Sequence, residues 1–288
     1  MKEQDFLRRF LFEDANVRGV WVNLTTAWQE AKAHQHGSKI AIQMLGEALA
    51  AVSMLSATIK FDGSLILQAQ GDGDIRTLVA QANNERKIRG LVRCQGLLNV
   101  GDLETLFGQG RLVLTIDAGG VHPYQGVVPL QGRHLANALE IYFVQSEQLK
   151  TRLWLFADDQ HAAGLLLQEL PSEQTKQDDW QRIEMLANTV TEHEMFSLEC
   201  ETMLYRLFNE ERVRLFEPEA LSFQCACSKS RIERTLQAMG REELEDLLAT
   251  LGRIEVSCEF CGKHYQFDKI DVELLLKDES HNDSNTVH

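Results

Sequence analysis

The sequence is short of positive charge: 29 Lys and Arg face 43 Asp and Glu over 288 residues, a net charge of −14. Such a surface repels phosphate backbones and anionic lipid, so nucleic acid and membrane are not expected as partners. Also missing is a basic segment followed by an apolar run at the start, which reads Met1-Lys2-Glu3-Gln4-Asp5. No uninterrupted apolar stretch is long enough to cross a bilayer, and the expectation is a soluble, cytoplasmic protein. No Gly-rich loop ends in Lys-Ser or Lys-Thr, so no P-loop is visible and Gly71-Asp72-Gly73 reads as a turn. Scattered His and Asp residues form no Ser-His-Asp or paired-carboxylate pattern, and with nine histidines coincidence explains any pairing. An enzyme is not expected.

What is present supports a large core, since 44% of the residues are hydrophobic, and more than one domain. Ile40, Met44, Leu45, Ala48, Ala51 and Leu55 recur at helical spacing between Ser38 and Thr58, which predicts an amphipathic helix packed on a sheet. Leu65, Leu67 and Ala69 alternate with polar neighbours, and Gly71 to Asp74 turns the chain toward Ile75 to Val79. Asn83-Asn84 separates that run from Ile88 to Cys94, and Gly119-Gly120 separates Arg111 to Ile116 from Tyr124 to Leu130, both hairpin signals. A helix from about His134 to Val144 and two further strands complete residues 1–171. Helices interleaved with hairpins predict an α+β class with antiparallel sheets.

After Pro171 the character changes. Ser172 to Asp179 is polar, and two helical stretches follow, one with Trp180, Ile183, Leu186 and Val190, the other with Met203, Leu204, Leu207 and Phe208. Dense charge surrounds them: Glu192, Glu194, Glu199, Glu201, Glu210, Glu211, Arg212 and Arg214. Isolated helices of this length are marginal in water, so these stripes must borrow stability from a neighbouring domain. Residues 172–224 read as a conditional helical linker.

Four of the six cysteines lie in the last quarter as Cys225-Ala-Cys227 and Cys258-Glu-Phe-Cys261, thirty residues apart. In a reducing compartment such clusters point to metal or redox chemistry rather than standing disulfides. Together they supply the four soft ligands of a tetrahedral zinc site. Between them, Ser230-x-x-Glu233 predicts a capped helix, Leu244, Leu247, Leu248 and Leu251 a second helix stopped by Gly252, and Ile254, Val256, Tyr265 and Phe267 two strands. Residues 225–277 form the expected module and 278–288 a disordered polar tail. A module this small buries little apolar surface, whereas a structural zinc site is worth about 10–16 kcal/mol, so metal decides its folding. Gly262 suits a turn that aims backbone N–H groups at sulfur. His264 is close in sequence, but four cysteines already complete the tetrahedron. Cys94 and Cys200 read as small packed side chains.

A plain structural zinc ribbon is one reading. Many ribbons grip nucleic acid, but residues 225–288 carry eight Lys or Arg against thirteen Asp or Glu. A sharper reading uses the closeness of the cysteines within each pair: a zinc-bound sulfur is a thiolate, the form oxidants attack, and a second sulfur waits beside it. A disulfide within a pair would close only a small ring and could not replace a metal tie spanning thirty residues.

The cysteine motif resembles that of the 33 kDa chaperonin family, the redox-regulated heat-shock holdases of bacteria, and the likeness runs through nearly the whole chain. It includes Phe10-Leu11-Phe12-Glu13 with Val17-Arg18-Gly19, Lys60-Phe61-Asp62-Gly63, Gln70-Gly71-Asp72-Gly73, Arg89-Gly90, Tyr124-Gln125-Gly126-Val127-Val128, Ser146-Glu147-Gln148-Leu149 and Cys258-Glu259-Phe260-Cys261-Gly262-Lys263-His264-Tyr265. The resemblance implies zinc held by Cys225, Cys227, Cys258 and Cys261 in an inactive reduced state. It further implies oxidation to disulfides Cys225 to Cys227 and Cys258 to Cys261 with zinc release, loosening of the linker, and ATP-independent capture of unfolding clients. A homodimer is implied for the oxidised form, and ATP-driven chaperones for client release. Trp180, Ile183, Leu186, Leu204 and Leu207 are candidate client-binding residues, with ordinary packing onto the first domain as the competing reading. A constitutive zinc-binding interaction protein and a dithiol oxidoreductase remain as alternatives.

Overall fold

Alternation sets the first strands: in β1 (Phe6–Phe12) Leu7 faces one way while Phe10 and Phe12 face the other, and β2 (Val17–Leu24) does the same with Val20 and Val22 against Trp21. A computed structural model describes residues 4–59, 62–96, 98–118, 123–171 and 177–282. Lys60, Phe61, Gly119, Gly120, residues 172–176 and the end of the tail therefore lie outside the described residues. The chain divides into two compact units, Met1–Gln224 and Cys225–His288.

In the first unit, β1 and β2 are followed by α1 (Thr26–Lys32) and the long α2 (Lys39–Thr58), whose N-cap Ser38 accepts from the Ala41 N–H. Then come β3 (Ser64–Gln70), β4 (Ile75–Asn83), β5 (Lys87–Cys94), α3 (Leu103–Phe107), β6 (Arg111–Asp117), β7 (Tyr124–Pro129), α4 (Leu135–Tyr142), β8 (Thr151–Ala157) and β9 (Ala162–Glu169). The segment after Pro171 adds α5 (Gln177–Ala187), α6 (Glu192–Ser197), α7 (Cys200–Phe208), β10 (Val213–Leu215), β11 (Glu219–Ala220) and β12 (Ser222–Phe223).

Two mainly antiparallel sheets result. One runs β10-β1-β2-β9-β8 with β11 also on β1; the other runs β12-β5-β4-β3-β6-β7, where β12 joins β5 in parallel. Helix α2 lies in the core between them, packed against Leu7, Val20 and Val22 of one and Leu65, Leu67, Leu78 and Leu114 of the other. This placement explains its apolarity. Lys39–Thr58 has the length and, over an 18-residue window, the mean hydropathy, 1.6, of a membrane span, but Gln43 and Glu47 interrupt it and 72% of that window is buried inside the fold.

The other face of the first sheet carries a separate cluster. Phe10, Phe12, Trp21, Leu165 and Leu167 meet Trp180, Ile183, Met203, Leu204, Leu207 and Phe208 from α5 and α7. Close approach is needed there: Phe10 pairs with Gly19, and a Cβ on Gly19 would sit 2.0 Å from the Phe10 ring. Buried Asn23 on β2 donates to the Met195 carbonyl of α6 at 2.8 Å, fixing the middle helix. Among its described residues the segment expected to be helical thus holds three helices rather than two and ends in three short strands. Residues 177–224 fold with the preceding residues in one unit, and the division falls after Gln224.

The second unit contains α8 (Lys229–Gln237), α9 (Arg241–Leu251), the hairpin β13 (Ile254–Ser257) and β14 (His264–Phe267), and α10 (Lys269–Asn282). Ser228, not Ser230, caps α8, accepting from the Arg231 N–H, so the expected capping box lies two residues off. Gly252 stops α9 at φ 75° as its left-handed position requires. Helix α10 runs through the first five residues of the tail expected to be disordered, because Val272, Leu275 and Leu276 at i, i+3 and i+4 pack into the core.

Candidate metal centre

Among the described residues the core of the second unit has eight buried side chains: Leu236, Leu244, Ile254, Tyr265, Phe267, Val272, Leu275 and Leu276. Against it the chain brings the two cysteine pairs together. Cys225 and Cys227 lie on the irregular segment before α8, and Cys258 and Cys261 lie on the turn joining β13 to β14. That turn is built by the Gly262 N–H donating to the Cys258 carbonyl at 2.7 Å and the Cys258 N–H donating to the Lys263 carbonyl at 2.9 Å. Gly262 sits at φ 66°, where a glycine is unstrained.

All four Sγ atoms lie within 4.8 Å of one another, with Cys225 to Cys258 at 3.6 Å and Cys227 to Cys261 at 3.4 Å. Both of these contacts cross between segments. Sulfurs bound at about 2.3 Å around a tetrahedral zinc ion stand about 3.8 Å apart, so the observed cluster fits such an ion with small adjustment. The backbone N–H groups of Cys227 and Lys263 favour the ionised forms of Cys225 and Cys261, as backbone turned toward sulfur does.

The protonation pattern fits a cation site too. Burial opposes ionisation of Cys227, yet hydrogen bonds from Tyr265 and the other thiols outweigh it and lower the thiol to about 7. Burial and neighbouring sulfurs push Cys261 up to about 12, and burial raises Cys225. One thiolate forms readily but a second beside it is opposed; four ionised together need a central positive charge.

His264 is exposed, bonds Ser257 Oγ through Nδ1 at 2.7 Å, and does not join the cluster. Cys94 is half-buried on β5 and Cys200 buried at the start of α7, both away from the cluster. Sequence reasoning missed Tyr265, whose hydroxyl donates to Cys227 at 3.2 Å; it read only as an alternating strand residue. Of the candidate client-binding residues, Trp180, Ile183, Leu204 and Leu207 are buried and Leu186 is half-buried, all in the cluster on the first sheet.

The family model described as Hsp33 protein matches residues 5–268. The chain belongs to the Hsp33 family. Among curated relatives, the 33 kDa chaperonin of Nitrosococcus oceani is 55% identical over 97% of this chain and 96% of that protein. The 33 kDa chaperonin of Aliivibrio salmonicida is 43% identical over 98% of each. A crystal structure of the 33 kDa chaperonin from Thermotoga maritima superposes with a TM-score of 0.84 at 25% identity, covering 96% of this chain and 99% of that one. The α+β architecture expected from the sequence is therefore the architecture of an Hsp33 chaperone, and its four-cysteine cluster is consistent with zinc binding and redox regulation.

Proposed function

We propose that this chain is a redox-regulated, ATP-independent holdase, held inactive when Cys225, Cys227, Cys258 and Cys261 bind one zinc ion. The observation that carries this reading is the convergence of four sulfurs from two segments on a unit with a small core. When bound, zinc supplies the one strong tie between the segments and keeps the sulfurs ionised.

Oxidation works on the cysteines themselves. Cys225 joins Cys227 and Cys258 joins Cys261; for each bond two thiolates give up two electrons to one peroxide, whose O–O bond breaks and which takes two protons from solvent to leave as two waters. The new bonds close small rings and leave the segments untied. The change reaches residues 172–224, the stress-sensing linker, through Gln224 and the two-residue strands β11 and β12, which are weak attachments. Release of α5 to α7 would expose Trp180, Ile183, Leu186, Leu204 and Leu207 together with the sheet face beneath them. Such a contiguous apolar surface suits unfolding clients. The site of action is the reducing cytoplasm; the active form is a homodimer, and ATP-driven chaperones take over the clients.

The Cys-x-x-Cys pair sits on a β-turn rather than at a helix start, which speaks against a dithiol oxidoreductase. A light-scattering assay on a thermally unfolding client tests the reading. Reduced zinc-loaded protein is expected to be inert and peroxide-treated protein protective. Equal protection in both states favours a constitutive interaction protein.

A further inference from the structure

Helix α9 uses its leucines on two faces. Leu244 is buried in the core, Leu247 and Leu248 pack against it, and Leu251 is 63% exposed. With half-buried Leu247 and with Met239, 38% exposed just past α8, it lines a groove of about 600 Å³. Leu251 and Met239 thus present adjoining apolar surface in one concavity.

Glu242, Glu243 and Asp246 rim the groove. Among the described residues none of the three forms an ion pair, and Arg241 turns to Glu245 at 3.1 Å instead. The helix dipole accounts for Glu242 and Glu243 in the first turn but not for Asp246 one turn on. Their oxygens do not converge as a metal site; the cysteine cluster alone does so among the described residues.

We propose that this groove docks a short cationic amphipathic helix of a protein partner. An apolar floor with an unpaired acidic rim complements a leucine-like stripe flanked by Lys or Arg. An extended segment finds no edge to pair with, because the backbone groups along α9 are spent within the helix. The eleven residues of α9 span about 16 Å, so the partner helix needs about three turns. Docking depends on the folded module and is independent of whether oxidation activates the chain.

The test is fluorescence anisotropy of a labelled amphipathic peptide of Leu and Lys, about fourteen residues long, with reduced zinc-loaded full-length protein at about 150 mM salt. Saturable binding is expected, weakened at least about tenfold by L251S with M239S and, separately, by E243K with D246K. The control E210K with E217K makes the same charge change at exposed positions in the first unit and should stay within about twofold. Zinc content and circular dichroism establish that each variant is folded; if the serine variant is not, E243K with D246K decides. Absence of saturable binding, an equal loss in the control, or equal binding of a proline-interrupted peptide would overturn the proposal.

Discussion

The Tyr265 hydroxyl donates to Cys227 Sγ at 3.2 Å, so a strand residue of the hairpin holds a sulfur that lies 38 positions earlier. The phenol is itself pushed up to about 12 by that bond and remains a donor throughout the neutral range. Tyr265 therefore supports the site in two ways, with its ring in the small core and its hydroxyl on the ligand.

Tyr265→Phe keeps the ring and removes the donor. Loss of a supporting hydrogen bond to a metal ligand typically costs 10–100-fold in affinity. Competition with a chelator should show zinc held about tenfold more weakly, with the hairpin still folded. Unchanged retention would remove Tyr265 from the site.

Two close sulfur contacts, 3.4 and 3.6 Å, cross between the segments. Bonds made there would preserve the tie, whereas the switch needs bonds within each pair. Trypsin can cut at Lys229, Arg231 and Lys263, so non-reducing peptide mapping of oxidised protein distinguishes the two. Two unlinked peptides, each with an internal disulfide, are expected. One cross-linked pair would contradict the switch.

Much of this was legible because period and chemistry agreed. The leucines of α9 and its stop at Gly252, the alternation of β3 and the four-cysteine spacing each carry a local signal that tertiary packing reinforces. The misses have causes as well. Strands β10 to β12 are two or three residues long, too short for alternation to register, and exist because β1 and β5 offer edges to pair with. Helix α10 carried a signal in Val272, Leu275 and Leu276 that the polar tail beyond it obscured. Tyr265 could not be found at all, since its partner lies far away in sequence.

Leu207, 7% exposed, packs in the cluster that joins α7 to the first sheet. Leu207→Asp loses that burial and places a carboxylate against apolar side chains, costing upwards of about 3 kcal/mol for the docked segment. Leu186→Asp, at a half-buried position, should act in the same direction but less. The expected outcome is protection of a client in the light-scattering assay without oxidant. A persistent oxidant requirement would show that these side chains do not hold the linker down.

Glu47 on α2 has its carboxyl pushed up to about 7, chiefly by burial and secondly by the charge of Glu192 at the start of α6. Its value in the fold lies above the ordinary 4.5. The linked stabilisation is therefore complete below about 4.5 and is lost as pH rises through about 7. All four tryptophans, Trp21, Trp28, Trp154 and Trp180, belong to the first unit, so their fluorescence reports its unfolding. From pH 5 to 9 the wild type should lose stability relative to Glu47→Gln, by at most on the order of 3 kcal/mol. Parallel pH profiles would contradict this.

Hydrogen exchange across residues 225–276 tests the metal tie most directly, comparing reduced zinc-loaded protein with protein oxidised by peroxide. Amides of α8, α9 and the β13–β14 hairpin should be protected in the first state and exchange freely in the second, with one zinc released per chain. Equal protection in both states, or full protection in reduced protein stripped of metal, would contradict the account.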